Sequence, residues 1–103
     1  MDSTIKITII GRTYAKDKYG QLISKEKTRT IWGRKSPITR AEWAEAGRQG
    51  VNPSFQVKVR TQEYRGELAA EVKGSRYGIY RSYENGEVTE LYLEQKVGEY
   101  ERN

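Results

Sequence analysis

The sequence predicts a mainly β protein, a small antiparallel β-barrel of about six strands with one short helix in a long excursion between two strands. Residues 4–14 and 54–61 alternate apolar and polar side chains with the two-residue period of a strand that buries one face. Closing such short strands into a barrel removes their exposed edges. With 103 residues the chain fits a single domain over residues 1–103, and we expect residues 98–103 to form a frayed tail.

The N-terminal third predicts a β-hairpin. Ile5, Ile7 and Ile9 lie on one side of its first strand. A polar run at residues 15–21, which contains a glycine, predicts the turn. The returning strand, residues 22–32, is rich in charged and β-branched side chains, so its outer end is expected to be exposed to water.

The excursion, residues 36–54, predicts a helix over roughly residues 38–50. Thr39 and Glu42 have the spacing of a capping box, in which each side chain satisfies a free backbone N–H of the other residue. Ile38 and Trp43 are spaced as a hydrophobic staple across the helix start. The residues that favour ending the helix are Gly47, Gly50 and Pro53.

The C-terminal half predicts three further strands after residues 54–61. Residues 62–68 are expected to form a loop, residues 69–72 a short strand, and residues 73–76 a tight turn. Asn85-Gly86, flanked by alternating apolar residues, predicts a hairpin whose two central residues both adopt positive φ.

Composition argues against an enzyme. The chain has no Cys and no His, which removes zinc sites of the usual ligand set, thiol nucleophiles, disulfides and the commonest general base near neutral pH. Its ten glycines follow no phosphate-loop or dinucleotide-binding spacing. We therefore expect no catalysis, no cofactor and no metal. We also expect no signal peptide, no membrane association and a reducing, intracellular setting.

Charge is distributed unevenly along the chain. Residues 1–60 contain 13 basic against 5 acidic side chains, whereas residues 61–103 contain 6 basic against 9 acidic ones. Separated charge of opposite sign favours head-to-tail contact between copies of the chain. An unevenly charged but otherwise ordinary solvated surface is the alternative interpretation.

Residues 76–83 interleave arginines with tyrosines, which is also the composition of a stacking platform for single-stranded nucleic acid. Acidic side chains lie on or beside the same predicted hairpin, and a phosphate-binding face is normally free of them. Cross-strand packing of the tyrosines is therefore the commoner explanation. A small nucleic-acid-binding barrel stays as the alternative function, and an adaptor or inhibitor of a host protein as a third.

The order of the segments resembles the phage head-closure family, also called head-tail joining, head-completion or stopper proteins, over about residues 5–97. The segments that carry the resemblance are IKITI (5–9), DKYGQ (17–21), IWGR (31–34), ITRAEW (38–43), FQVKVR (55–60) and GSRYGI (74–79). One departure is a longer loop at residues 63–67, which leaves the placement of the short strand at residues 69–72 open.

The resemblance implies a virion structural protein of the head-tail connector, present in the bacterial cytoplasm during assembly. It implies a small barrel that assembles into a twelvefold ring below the portal and its adaptor, closes the DNA channel and presents a surface to the tail, and it leaves open whether the isolated chain is a monomer. The excursion would face the channel, neighbouring subunits or packaged DNA, which it would contact without reading sequence. The residues so assigned are Arg34, Lys35, Pro37, Ile38, Arg40, Glu42, Trp43, Glu45 and Arg48.

The excursion also has a purely structural interpretation. Long connections in compact domains tend to be functional or mobile. A helix that covers one end of the barrel through Trp43 would also account for its capping pattern.

Overall fold

The computed structural model describes residues 3–95 and is a closed antiparallel barrel of six strands, which confirms the predicted fold class. The elements are β1 (Ser3–Lys16), β2 (Leu22–Ser36), α1 (Arg40–Arg48), β3 (Pro53–Arg60), a 3-10 turn (Thr61–Glu63), β4 (Ala69–Val72), β5 (Ser75–Asn85) and β6 (Val88–Gln95). Around the barrel the strands follow the order β1-β2-β3-β6-β5-β4, and β4 pairs with β1. The predicted frayed tail lies outside the described residues.

The barrel interior is filled by the side chains that the alternation pattern assigned to one face. Ile7, Ile9, Val57, Leu91 and Leu93 are fully buried. They pack with the remaining core residues Ile31, Phe55, Val59, Ala70, Val72 and Ile79. Because apolar side chains of the described residues occupy the lumen, the barrel interior is a packed core.

The β1–β2 hairpin is much longer than the barrel wall that it joins. Its ladder runs from Ser3 opposite Lys35 to Lys16 opposite Leu22. However, β1 pairs with β4 only through residues 8–10, and β2 pairs with β3 only through residues 34–36. The outer part of the hairpin, residues 11–27, therefore extends past the barrel as a two-stranded projection, here called the arm.

The arm ends in a tight turn that confirms the predicted hairpin. The Asp17 side chain accepts hydrogen bonds from the backbone N–H groups of Tyr19 and Gln21, both at 2.9 Å. Gly20 has φ of 81°, a left-handed conformation that glycine adopts without steric cost. Local hydrogen bonds therefore fix the end of the arm without help from the barrel.

The short strand β4 closes the barrel. It pairs through residues 69–71 with β1 and through all four of its residues with β5. The turn into β5 has positive φ at both Lys73 and Gly74, as a two-residue hairpin of the favoured handedness requires. The longer loop before β4 therefore does not displace this strand from the sheet.

The predicted hairpin of β5 and β6 is present, but its turn is one residue later than expected. Asn85 pairs with Val88, so the central residues are Gly86 and Glu87, and only Gly86 has positive φ. This pattern fits a type II′ turn, which needs glycine only at its first central position. The prediction of positive φ at Asn85 is wrong, because Asn85 pairs with Val88 and is the last strand residue before the turn.

The helix α1 starts where the sequence predicts and is shorter than predicted. The Thr39 hydroxyl accepts a hydrogen bond from the Glu42 backbone N–H at 3.2 Å, as an N-cap does. After Arg48, the Val51 N–H bonds to the Ala46 carbonyl and Gly50 has φ of 79°. These features form a Schellman motif, which ends the helix at Arg48. Among the described residues, no helix is long and apolar enough to cross a membrane.

Candidate interaction surfaces

The helix lies beside β3, and the Glu42 side chain links it to β5. The Tyr80 hydroxyl donates to one carboxylate oxygen of Glu42 at 2.9 Å, and the Arg81 guanidinium donates to the other at 2.5 Å. The Glu42 side chain is only 12% exposed. Its carboxylate therefore binds a distant strand instead of completing the predicted capping box.

Two further contacts fix the excursion to the barrel. The Gln56 side-chain amide donates to the Pro37 carbonyl at 3.1 Å, so β3 holds the start of the excursion. Ala46, on the helix, is 3% exposed. The excursion is thus packed on the barrel wall through both charged and apolar contacts.

Tyr80 and Tyr92 flank Arg81 in this contact. The Arg81 guanidinium lies 4.4 Å from the centroid of the Tyr92 ring. Burial and the hydrogen bond to Glu42 raise the pKa of Tyr80, while burial and the bond to Glu90 raise the pKa of Tyr92 to about 12. Both phenols therefore stay protonated near neutral pH and serve as hydrogen-bond donors, not as bases or nucleophiles.

The nine residues assigned to the excursion do not form one continuous surface. Glu42 faces the barrel, and the Lys35 ammonium lies 4.6 Å from the Phe55 ring centroid at the barrel end. Glu45 and Arg48 pair with each other at 2.5 Å on the exposed helix surface. Ile38 is half-buried; the exposed members are Arg34, Pro37, Arg40, Trp43, Glu45 and Arg48.

Trp43 does not cover the end of the barrel. Its side chain is 58% exposed and does not belong to the core cluster. The interpretation in which this indole closes the barrel is therefore wrong. The exposed ring instead adds an apolar contact area to the outer face of the helix.

The arm is a surface that the sequence interpretation passed over. It exposes large apolar side chains, with Tyr14 64%, Tyr19 77% and Leu22 67% exposed. Lys16, Lys25 and Lys27 are also exposed, and within residues 3–95 none of the three forms an ion pair. The clue in the sequence was an apolar pair, Leu22-Ile23, beside a predicted turn on a strand otherwise rich in charge.

The base of the arm is braced by ion pairs. Arg29 donates to the Glu63 carbonyl at 2.7 Å and forms an ion pair with Glu67. Burial alone would raise the pKa of Glu67, but the bond from Arg29 and a backbone N–H lower it overall. On the other side, Arg76 donates to both carboxylate oxygens of Glu26 at 3.1 Å.

An open cleft of about 640 Å³ lies beside these ion pairs, between the arm and residues 65–69. Arg12, Lys27, Arg65 and the exposed Leu68 are among the residues that line it. The cleft is therefore basic, with one apolar patch. Within residues 3–95, no group of acidic side chains is placed to hold a metal ion.

The hairpin of β5 and β6 ends in an acidic turn, residues 83–88, here called the tip. Glu84 and Glu87 are exposed and form no ion pair with any other described residue. Tyr83 and Val88 beside them are 53% and 42% exposed. The tip is held in place by Thr61, whose hydroxyl donates to the Gly86 carbonyl at 2.9 Å.

The tyrosines proposed as a nucleic-acid platform are mostly used in packing. Tyr77 contacts Phe55 edge to face, with ring centroids 5.0 Å apart. Tyr80 binds Glu42, as described, and Arg76 and Arg81 are both bound to carboxylates. This arrangement leaves Tyr83 as the exposed large aromatic of the predicted platform.

Comparison with known proteins gives no further assignment. No protein-family model matches the chain, and no similar protein is found among the curated proteins or the solved structures.

Proposed function

We propose that this protein is a structural subunit of a phage head-tail connector, which docks as a ring below the portal and its adaptor, closes the DNA channel and joins the head to the tail. The proposal rests on the resemblance to head-closure proteins. The structural observation that supports it is the arm, since three large side chains of this two-stranded projection are more than 60% exposed.

An arm of this kind is suited to protein contact. Exposed apolar groups on a projecting hairpin favour association, because burying them removes their area from water at about 25 cal/mol per Å². Elsewhere in the described residues the barrel interior is filled and the outer surface is largely charged, with single exposed apolar side chains such as Trp32, Trp43 and Leu68. Such features serve docking and positioning, and the proposed role needs no turnover.

The excursion supplies the channel-facing part in this proposal. Its inner side is fixed to the barrel through Glu42, so Arg40 and Trp43 can be presented outward on a rigid helix. Exposed arginines such as Arg34 would meet packaged DNA through phosphates, without reading its sequence.

The test uses DNA-filled heads of the same phage that lack this protein. Addition of the purified protein is expected to restore DNA retention and tail attachment, as counted by electron microscopy, and to give a complex with the isolated portal and adaptor. Absence of both binding and restored particles would contradict the connector role. A neighbouring portal, capsid or tail gene is the genomic arrangement that the proposal expects.

A single-stranded nucleic-acid-binding barrel is the second candidate, favoured by the unpaired lysines and exposed tyrosines of the arm. It predicts micromolar or tighter binding to single-stranded DNA with quenching of tyrosine fluorescence and a steep loss of affinity with salt. The quenching of tyrosine fluorescence at moderate salt separates the candidates, because a connector that contacts DNA only through phosphates requires no base stacking.

A further inference from the structure

We infer that the arm of one copy binds the tip of a second copy, so that the two hairpins form the contact between neighbouring subunits. This inference rests on the proposed ring and names the surfaces that build it. It is carried by the charges, the exposed apolar side chains and the relative placement of the two hairpins in the barrel.

The charges of the two hairpins are complementary, and each set lacks a partner of its own. The acids of the arm have local bonds, since Asp17 caps the turn and Glu26 binds Arg76. Within residues 3–95, Lys16, Lys25 and Lys27 of the arm form no ion pair. The same is true of Glu84 and Glu87 on the tip. Opposite surface charges of this kind steer association and set its register.

Apolar side chains accompany the charges on both surfaces. Tyr14, Leu22 and Ile23 are exposed on the arm, and Tyr83 and Val88 on the tip. A contact between the two surfaces would have these residues at its centre and lysines and glutamates at its rim. This is the composition of a protein interface, in which aromatic side chains contribute much of the binding free energy. A nucleic-acid ligand would leave the acidic tip without a partner, so we favour a second copy.

The barrel places the two hairpins on opposite walls at the same end. Because β2, β3 and β6 are successively antiparallel, Arg60 opposite Val88 lies at the end from which the arm projects. In the strand order, β3 separates the arm from the tip hairpin on one side and β4 on the other. One copy can therefore meet its neighbour sideways on both walls, which is the heterologous arrangement that closes into a ring.

The arm-base cleft extends the same surface. Its lining includes Arg12, Lys27 and Arg65 together with Leu68, which is 75% exposed. A hairpin end that carries two carboxylates and two apolar side chains matches this lining in charge and character. The tip of the neighbouring copy is therefore expected to lie along the arm and reach into the cleft.

The first experiment exchanges the charges. The variant Lys25→Glu/Lys27→Glu has an acidic arm and an acidic tip, and the variant Glu84→Lys/Glu87→Lys has a basic arm and a basic tip. Each variant alone is expected to sediment as a monomer at low salt and high protein concentration, conditions in which the unaltered protein is expected to self-associate. An equal mixture is expected to recover association, because each altered surface then meets an opposite charge.

A matched control makes the same change of charge at the other barrel end. Lys6→Glu/Lys73→Glu alters two exposed basic residues that lie outside the arm, the tip, the excursion and the cleft, and it is expected to associate like the unaltered protein. The inference is overturned if the unaltered protein stays monomeric, if either hairpin variant associates normally alone, or if the mixture stays monomeric. Loss of DNA affinity in the arm variant with unchanged self-association would assign the arm to nucleic acid instead.

The second experiment locates the contact and separates it from the proposed function. The chain has no cysteine, so Ser24→Cys on the arm and Glu87→Cys on the tip provide two defined thiols. Oxidising a mixture of these variants is expected to give a covalent dimer, whereas Ser24→Cys with Ser54→Cys, at the start of β3 on the opposite end of the barrel, is expected to give none.

The same thiol pair is then used inside portal-adaptor complexes. A cross-link in solution without incorporation into those complexes would retain the contact and reject the connector role. Incorporation without a cross-link would retain the connector role and reject the contact. The two proposals can therefore fail separately.

Discussion

The helical excursion and the arm are both long departures from the barrel, but they are stabilised in opposite ways. The excursion has few exposed apolar groups besides Trp43, and its one well-buried carboxylate, Glu42, binds two side chains of β5. The arm makes its own turn and ladder and leaves its lysines and apolar side chains exposed. A segment that interrupts a sheet can therefore be well anchored, whereas a regular hairpin can provide the exposed surface that is available for binding.

The largest effect is expected from removing the anchor of the excursion. Glu42→Ala removes two hydrogen bonds to Tyr80 and Arg81, and we expect the free energy of unfolding to fall by about 2–3 kcal/mol. The matched variant Glu26→Ala on the arm removes an ion pair that is 39–40% exposed and should cost less than about 1 kcal/mol.

Urea unfolding measures this difference, and amide exchange locates it. Faster exchange in Glu42→Ala is expected in α1, with the barrel core unchanged. Equal losses in the two variants would break the distinction between an anchored excursion and a free arm.

The second-largest effect is a loss of folding stability at alkaline pH. It comes from the phenol of Tyr92, whose ring contacts Arg81. The pKa of Tyr92 is raised from 10.0 to about 12 in the folded protein, so its contribution is present below pH 10 and is lost as pH rises towards 12. By pH 12 the loss from this group is about 2 kcal/mol.

Chemical denaturation between about pH 9 and 12 checks the prediction. Tyr92→Phe is expected to reduce the slope of the unfolding free energy against pH relative to the unaltered protein. The expectation fails if Tyr92→Phe retains the slope of the unaltered protein.

The smallest effect on stability is expected on the arm itself. Lys25→Glu/Lys27→Glu changes two exposed side chains that form no ion pair within residues 3–95, so the unfolding free energy should change by no more than about 0.5 kcal/mol. Thermal unfolding of the dilute protein tests this. A larger loss would mean that these lysines support the fold, which would weaken the case for a free docking surface.

Features with local causes could be predicted from the sequence. Alternation assigned Ile7, Ile9 and Val57 to the core, and the Thr39 hydroxyl caps the helix as its spacing predicts. The Asn85-Gly86 pattern located the last hairpin but not its turn type, because glycine fits both turn types and only the sheet register chooses between them.

The remaining features depend on residues far apart in the chain. Glu42 binds side chains that are 38 and 39 positions away, so its spacing from Thr39 predicted the wrong partner. The arm emerges because β3 and β4 pair with only three residues of β2 and β1, respectively. No local pattern in the sequence of β1 and β2 indicates where their pairing with β4 and β3 ends. The exposed surface of the arm could therefore not be predicted.

The ladder of β1 and β2 has a mechanical consequence. It is continuous from the barrel wall, where Ile7 pairs with Ile31, to the outer end at Lys16 and Leu22. The two three-residue ladders with β3 and β4 join its strands to the rest of the sheet, and the ion pairs of Arg29 and Arg76 brace its base. A sideways push on the outer end is thus delivered as a lever movement to Ile7 and Ile9, deep in the packed interior.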